Sequence, residues 1–178
     1  MKKSTQVAMG GLCSALCLLL MFLTGMVPFA TYALPAMAGI VLIAIAWENG
    51  VKTAWVVYGA VAILSLFIVP DREAALMFIV FFGYYPILKP FMDRISPKFL
   101  QVLAKFGLFN LAIIGGYAFT IYVLGLTELM EGMGDFGQLS LVILLAMANV
   151  MFILYDFALK HLIVLYVKWF RIKYLRKF

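Results

Sequence analysis

The chain contains a long run without charged residues, residues 7–25, directly after a short cationic start with Lys2 and Lys3. A helix needs about 20 consecutive apolar residues to cross the hydrocarbon core of a bilayer, so this run is long enough to span it. The whole chain of 178 residues has the same character: 66% of its residues are hydrophobic and 12% are charged. Soluble domains carry roughly 25% charged residues. The sequence therefore predicts an all-α, polytopic membrane protein.

Polar turns and prolines divide the sequence into six hydrophobic segments. They predict transmembrane helices over about residues 6–26, 32–47, 53–69, 74–88, 106–126 and 139–159. Pro35 is expected either to start the second helix or to kink it, and Gly83 and Pro86 interrupt the fourth. Residues 160–178 form a basic, aromatic tail that is expected to lie at the membrane interface. The prediction is one six-helix domain over residues 1–178.

The distribution of charge predicts the orientation of these helices. If the N-terminus is cytoplasmic, 13 of the 14 basic residues lie inside and only Arg72 lies outside. The outer loops then hold five acidic residues: Asp71, Glu73, Glu128, Glu131 and Asp135. This asymmetry follows the positive-inside rule, so we expect both termini in the cytoplasm of a multi-pass protein.

The first hydrophobic segment has small residues at helical spacing in its first half. Ala8, Gly11 and Ala15 fall on one stripe of a helix by the i, i+3, i+4 rule. A second set of small residues lies beside it: Gly10, Ser14 and Cys17. Small residues four apart let another helix approach closely in lipid. Two interpretations stay open, because the stripe can pack against the chain's own helices or against a partner.

Motifs for catalysis and metal binding are absent from the sequence. It has no H-E-x-x-H, P-loop or G-x-S-x-G motif, and its single histidine is His161. Cys13 and Cys17 have no further cysteine or histidine near them, which favours packing residues over a metal or disulfide pair. Asp156 and Lys160 stand four residues apart and are expected to form a helical ion pair. We expect no enzyme activity, no cofactor and no metal.

Polar residues inside the predicted spans are the better indicators of a site, because such residues are costly in hydrocarbon and tend to face the bundle interior. Three sets share helical faces, one on the third segment (Tyr58 and Ser65), one on the fifth (Asn110, Tyr117 and Thr120) and one on the sixth (Gln138, Asn149 and Asp156). They can hydrogen-bond between helices or contact a ligand. Arg72 is the only basic residue on the predicted outer side, so a bound molecule would be neutral or cationic, and we expect it to contain a ring.

The first part of the sequence resembles a known family. It reads KKSTQVAMGGLCSALCLLL and then ALPAMAGIVLIAIAWENGVKTAWVVYGAVAILSL, with Pro35 opening the second helix and a Gly-Lys connection into the third. Together with six helices in under 200 residues, this resembles the substrate-binding S components of energy-coupling factor (ECF) vitamin transporters. The likeness in topology extends over the whole chain, and the likeness in amino-acid sequence covers about residues 2–66.

That resemblance implies a protein of a prokaryotic plasma membrane that captures a vitamin-like metabolite from outside. It also implies docking on a membrane-embedded coupling subunit with two ATPase subunits, through an Ala-x-x-x-Ala-like motif at Gly11 and Ala15, next to Ala8. Family ligand sites lie in the outer half, formed by the first loop and the last three helices. This sequence offers Tyr32 there and, as the predicted ligand set, the following residues: Tyr117, Thr120, Tyr122, Gln138 and Asn149.

A second interpretation is a non-transport membrane scaffold, of the cell-envelope or rod-shape morphogenesis type, whose helical arrangement is similar. A buried pocket that holds a co-purifying small molecule would favour substrate capture. A dry interior would favour the scaffold.

Overall fold

The computed structural model describes residues 3–27, 30–122 and 137–168, and within them the side chains of residues 117, 119–122 and 137–141 lie outside the description. All regular secondary structure in these ranges is helical. The elements are α1 Lys3–Leu23, α2 Ala33–Glu48, α3 Val51–Ile68, α4 Arg72–Met77, a π-helical turn Phe78–Phe82, α5 Tyr85–Met92, α6 Lys98–Tyr122 and α7 Gly137–Leu165. The predicted all-α class is thus confirmed for the described residues.

Five helical stretches in these ranges are long and apolar enough to cross a membrane. They are Lys3–Leu23, Val51–Ile68, Arg72–Met92, Lys98–Gly116 and Val142–Lys168. The helix α2 is also apolar, but its 16 residues fall short of a full span of about 20. These helices have the length and composition of a multi-pass helical membrane protein.

Two compact units divide the chain, Met1–Gln101 and Val102–Phe178. In the first unit α1 packs on α2 and α3, and the segment from α4 to α5 packs on the same two helices. Apolar side chains three or four positions apart on each helix form one core. The core consists of Cys17, Met21, Ala38, Leu42, Ile45, Ala54, Val57, Val61, Val69, Ala75, Phe78 and Ile87.

The turn between α2 and α3 lies at the same end of the first unit as the start of α1. Gly50 has a φ of 90°, a conformation that L side chains rarely adopt, so glycine permits this two-residue connection. The Asn49 amide nitrogen donates to the Gln6 carbonyl oxygen at 3.0 Å. This bond ties α1 to the turn.

The α3–α4 connection follows from one proline and one cap. Pro70 cannot continue α3, and the residue before it, Val69, is extended. The Asp71 carboxylate accepts from the backbone N–H of Ala74 at 3.1 Å and so caps α4, with Glu73 in the first turn.

The predicted interruption of the fourth segment is a π-helical turn. Pro86 has no N–H, and its ring excludes the carbonyl of Phe82, four residues earlier, from its usual place. The chain accommodates this with a wider turn in which the Gly83 N–H bonds the Phe78 carbonyl at 2.8 Å. The Tyr58 hydroxyl donates to the Ile79 carbonyl at 2.7 Å, so α3 satisfies a backbone group of the turn.

Candidate functional site

The helix α1 carries two neighbouring small-residue stripes, and only one of them packs inside the first unit. Gly10, Cys17 and Met21 are buried. A Cβ added at Gly10 would lie 3.7 Å from Val57, an ordinary contact distance, and the Cys17 thiol lies 3.3 Å from the Ala38 carbonyl oxygen. The stripe through Gly10, Ser14 and Cys17 is therefore the one that lets α2 and α3 approach.

The stripe with Ala8, Gly11 and Ala15 lies on a different face of α1. All three residues are exposed, and a Cβ added at Gly11 would meet no described atom within 4 Å. The neighbouring Leu12 is 73% exposed. A face with small residues between exposed leucines has the shape that accepts a second helix at close range in lipid.

At the opposite end of the first unit, a hydrogen bond joins the residue before α2 to the first turn of α4. The Tyr32 hydroxyl, just before α2, donates to a Glu73 carboxylate oxygen in α4. Partial burial of Tyr32, which is 50% exposed, raises its pKa well above the ordinary value of 10, and the hydrogen bond to Glu73 and the charges of Glu73 and Asp71 add to this. The neutral hydroxyl is thus the form that the fold favours.

We expect Tyr32→Phe to lower the free energy of unfolding by roughly 1 kcal/mol near pH 7, because the variant loses one hydrogen bond at an exposed site. The pH dependence has a definite sign. Since folding raises this pKa, the contribution is complete below about pH 10 and is lost as the pH rises above it. Thermal unfolding at pH 7 and pH 11 should show a smaller alkaline loss in Tyr32→Phe than in the unmodified chain. Equal alkaline losses would contradict this role for Tyr32.

In the second unit α6 and α7 run antiparallel, since contacts made later along α6 involve earlier residues of α7. Phe152 is buried and stacks on Phe109, with ring centroids 4.6 Å apart and planes at 13°. Phe106 meets the same ring edge-on at 5.3 Å. Along the helix pair, these aromatic contacts lie between two polar contacts.

The first polar contact is a closed pair of amides. Asn110 donates to the Asn149 side-chain oxygen at 3.0 Å, and Asn149 donates to the Asn110 side-chain oxygen at 3.0 Å. Each amide nitrogen also donates to a backbone carbonyl on its own helix, that of Phe106 or Leu145, at 2.8 Å. Both N–H groups of each amide are therefore used. This is the hydrogen bonding between helices that the sequence left open as an alternative to ligand contact.

The second polar contact is an ion pair between the two helices. The Lys105 ammonium lies 3.2 Å from an Asp156 carboxylate oxygen, and both side chains are largely buried. The expected partner of Asp156 was Lys160, which is exposed. The fifth segment was predicted to begin at about residue 106, but α6 begins at Lys98. Lys105 therefore belongs to the helix and lies opposite Asp156.

Four of the five predicted ligand residues lie outside the described side chains: Tyr117, Thr120, Tyr122 and Gln138. Their backbones belong to α6 and α7. The fifth, Asn149, is described and contacts Asn110. The ligand set stays a prediction.

We expect Asn110→Leu or Asn149→Leu alone to lower the free energy of unfolding by about 1 to 2 kcal/mol, because each leaves a partner amide without its bonds in an apolar setting. The double variant should recover most of that loss, since it removes both amides together. Thermal unfolding of the three variants in detergent measures this coupling. Strictly additive losses would show that the two amides do not act as a pair.

The sequence marks Tyr58 as a polar residue of the third segment, but it does not predict the contacts that two residues of the first unit make. Tyr58 contacts Trp55, Phe78 and Tyr84 and bonds the π-helical turn. Lys89 is fully buried within a membrane-length stretch, 3.7 Å from Asp93, whereas the sequence predicts it among the basic residues of the cytoplasmic loops. The spacing of Lys89 and Asp93, four residues apart, could have indicated this pair.

Comparison with known proteins adds no assignment: no family model, no curated protein and no solved structure matches the chain.

Proposed function

We propose that the protein is a substrate-capture component of an importer of the ECF type. In this proposal it has six membrane spans, with both termini in the cytoplasm of a prokaryotic cell. It binds a small vitamin-like metabolite from outside and docks on a separate coupling subunit that two ATPase subunits energise. The exposed stripe of Ala8, Gly11 and Ala15 carries the proposal, because such a face suits a partner helix.

The six-span topology is supported by the alternation of contacts in the first unit. The start of α1 meets the α2–α3 turn at one end, and the residues before α2 meet α4 at the other. This alternation supports a membrane span for α2 in spite of its 16 residues. A short span is accommodated by local thinning of the bilayer at modest cost. The one-sided distribution of basic residues supports cytoplasmic termini.

The ligand site of the proposal lies in the outer halves of α6 and α7. Tyrosine rings and a few placed polar groups are what a small-molecule site requires, and Tyr117, Thr120, Tyr122 and Gln138 would supply them. Asn149 would take part from deeper in the helix pair. With both of its N–H groups used by Asn110 and by its own helix, it keeps only acceptor capacity for a ligand.

A membrane scaffold is the second candidate, and the closed Asn110–Asn149 pair favours it. Polar groups that satisfy each other between two helices stabilise a packed bundle and require no ligand. A scaffold of the cell-envelope type would keep the exposed face of α1 for a structural partner.

Native mass spectrometry of the gently purified chain separates the two candidates. A capture component should carry one small molecule per chain, neutral or cationic and containing a ring. Tyr117→Ala should lower its affinity by roughly 5- to 150-fold, whereas Leu111→Ala, on an exposed part of the same helix, should leave it unchanged. A bare chain under all conditions, bound only to envelope proteins, would favour the scaffold. A tightly held phosphate ester would contradict the charge argument.

A further inference from the structure

The connection between α5 and α6 combines exposed aromatic residues with exposed cations. We refer to residues 89–101 as the elbow. Phe91 is 48% exposed and Phe99 is 76% exposed, and Leu100 is also exposed. Arg94 and Lys98 are exposed between them. Because α5 and α6 both belong to membrane-length stretches, we expect the elbow between them to lie at the depth of the lipid headgroups.

The single acidic residue of the elbow is neutralised within it. One Asp93 carboxylate oxygen lies 3.7 Å from the ammonium of the fully buried Lys89. The other accepts from the Gln101 side-chain amide at 2.9 Å. The negative charge of Asp93 is therefore largely balanced by Lys89, and it does little to neutralise Arg94 and Lys98, the two other cations of the elbow. Neither Arg94 nor Lys98 forms an ion pair with a described residue, and the Arg94 guanidinium lies 6.0 Å from the centre of the Phe91 ring.

The backbone of the elbow is already ordered. The Asp93 N–H bonds the Lys89 carbonyl at 2.9 Å, and the Arg94 N–H bonds the Phe91 carbonyl at 3.1 Å. The Pro97 carbonyl accepts from the N–H groups of Leu100 and Gln101. The Asp93–Gln101 hydrogen bond further joins the end of α5 to the first turn of α6. A ligand that binds here therefore loses little binding free energy in ordering the segment.

We propose that the elbow binds an anionic phospholipid, with Arg94 and Lys98 on the headgroup phosphate and Phe91 and Phe99 in the adjoining acyl region. Aromatic and basic residues at the ends of membrane helices occupy that boundary. A cation near an anionic surface contributes about fivefold in binding, so two contribute roughly 25-fold. This inference depends on the membrane location of the helices and not on substrate capture.

The test uses the full chain in detergent, titrated with dioleoyl phosphatidylglycerol or dioleoyl phosphatidylcholine and followed by native mass spectrometry. The unmodified chain should bind the first phosphatidylglycerol roughly 25-fold more tightly than phosphatidylcholine. Arg94→Gln with Lys98→Gln should abolish that preference at an unchanged melting temperature, because both side chains are exposed. Phe91→Ala with Phe99→Ala should weaken the binding of both lipids and keep the preference.

The matched control is Lys52→Gln with Lys160→Gln, which removes two other exposed cations and should keep the preference. An equal loss in this control would overturn the proposal, since the effect would then follow net charge alone. Displacement of the lipid by millimolar glycerol 3-phosphate would also overturn it, because the elbow would then bind a free phosphate. No preference in the unmodified chain, or an elbow that binds a protein instead, would overturn it as well.

Discussion

Gly39→Ala should lower the free energy of unfolding by about 3 kcal/mol or more, the largest stability effect that we expect of any single methyl group in the first unit. A Cβ at this position would lie 2.1 Å from the carbonyl oxygen of Phe82 and 3.3 Å from the Pro86 ring. A backbone oxygen in a packed helix cannot turn aside as a flexible side chain can. The cost is therefore that of displacing α2 from the π-helical turn.

The matched control is Gly59→Ala in α3. A Cβ there would meet no described atom within 4 Å, so alanine should stabilise the helix by roughly 0.5 to 1 kcal/mol. Thermal unfolding of both variants in the same detergent checks the pair. If Gly39→Ala were as stable as Gly59→Ala, α2 would not lie against the turn as described.

If the protein has the proposed function, Gly11→Leu with Ala15→Leu should reduce its docking on the coupling subunit by about 100-fold, equivalent to about 3 kcal/mol. Two leucine side chains would hold a partner helix away from α1, and close approach is what stabilises helix pairs in lipid. Because both positions are exposed, the melting temperature of the isolated chain and its affinity for any bound metabolite should change little. Copurification of tagged chain with the coupling subunit and its ATPases measures the docking.

Ala60→Leu with Gly107→Leu is the matched control, since it also enlarges one alanine and one glycine at exposed positions of helices. It should leave docking unchanged. If the α1 variant instead failed to fold, the stripe would be an internal packing face of the chain.

The sequence predicts the helices well because a helix that crosses a bilayer must be apolar over nearly its whole length, and such a run is visible in the local sequence. Pro86 also predicts where the fourth segment is interrupted, since the loss of an N–H has a local consequence. The form of the interruption, a π-helical turn satisfied by Tyr58, depends on a contact with α3 that no local pattern contains.

Pairings between helices could not be predicted for a related reason. Asn110 and Asn149 each stand out as polar residues in a span, but their contact depends on the register of two antiparallel helices. In the same way, two small stripes lie side by side on α1, and spacing alone does not tell which of them faces the core. Burial of Gly10 and exposure of Gly11 make that distinction.

The docking face of α1 is the central claim, and photo-cross-linking in intact membranes tests it most directly. A photoreactive residue replaces Leu12, 73% exposed beside the stripe, or in the control Val56 of α3, 71% exposed. Since Asn49 contacts Gln6, the two positions lie at similar depth. We predict cross-links from position 12 to a second membrane protein that copurifies with ATPase subunits, and only lipid adducts from position 56. Lipid adducts alone at position 12, or cross-links confined to the chain itself, would contradict the claim.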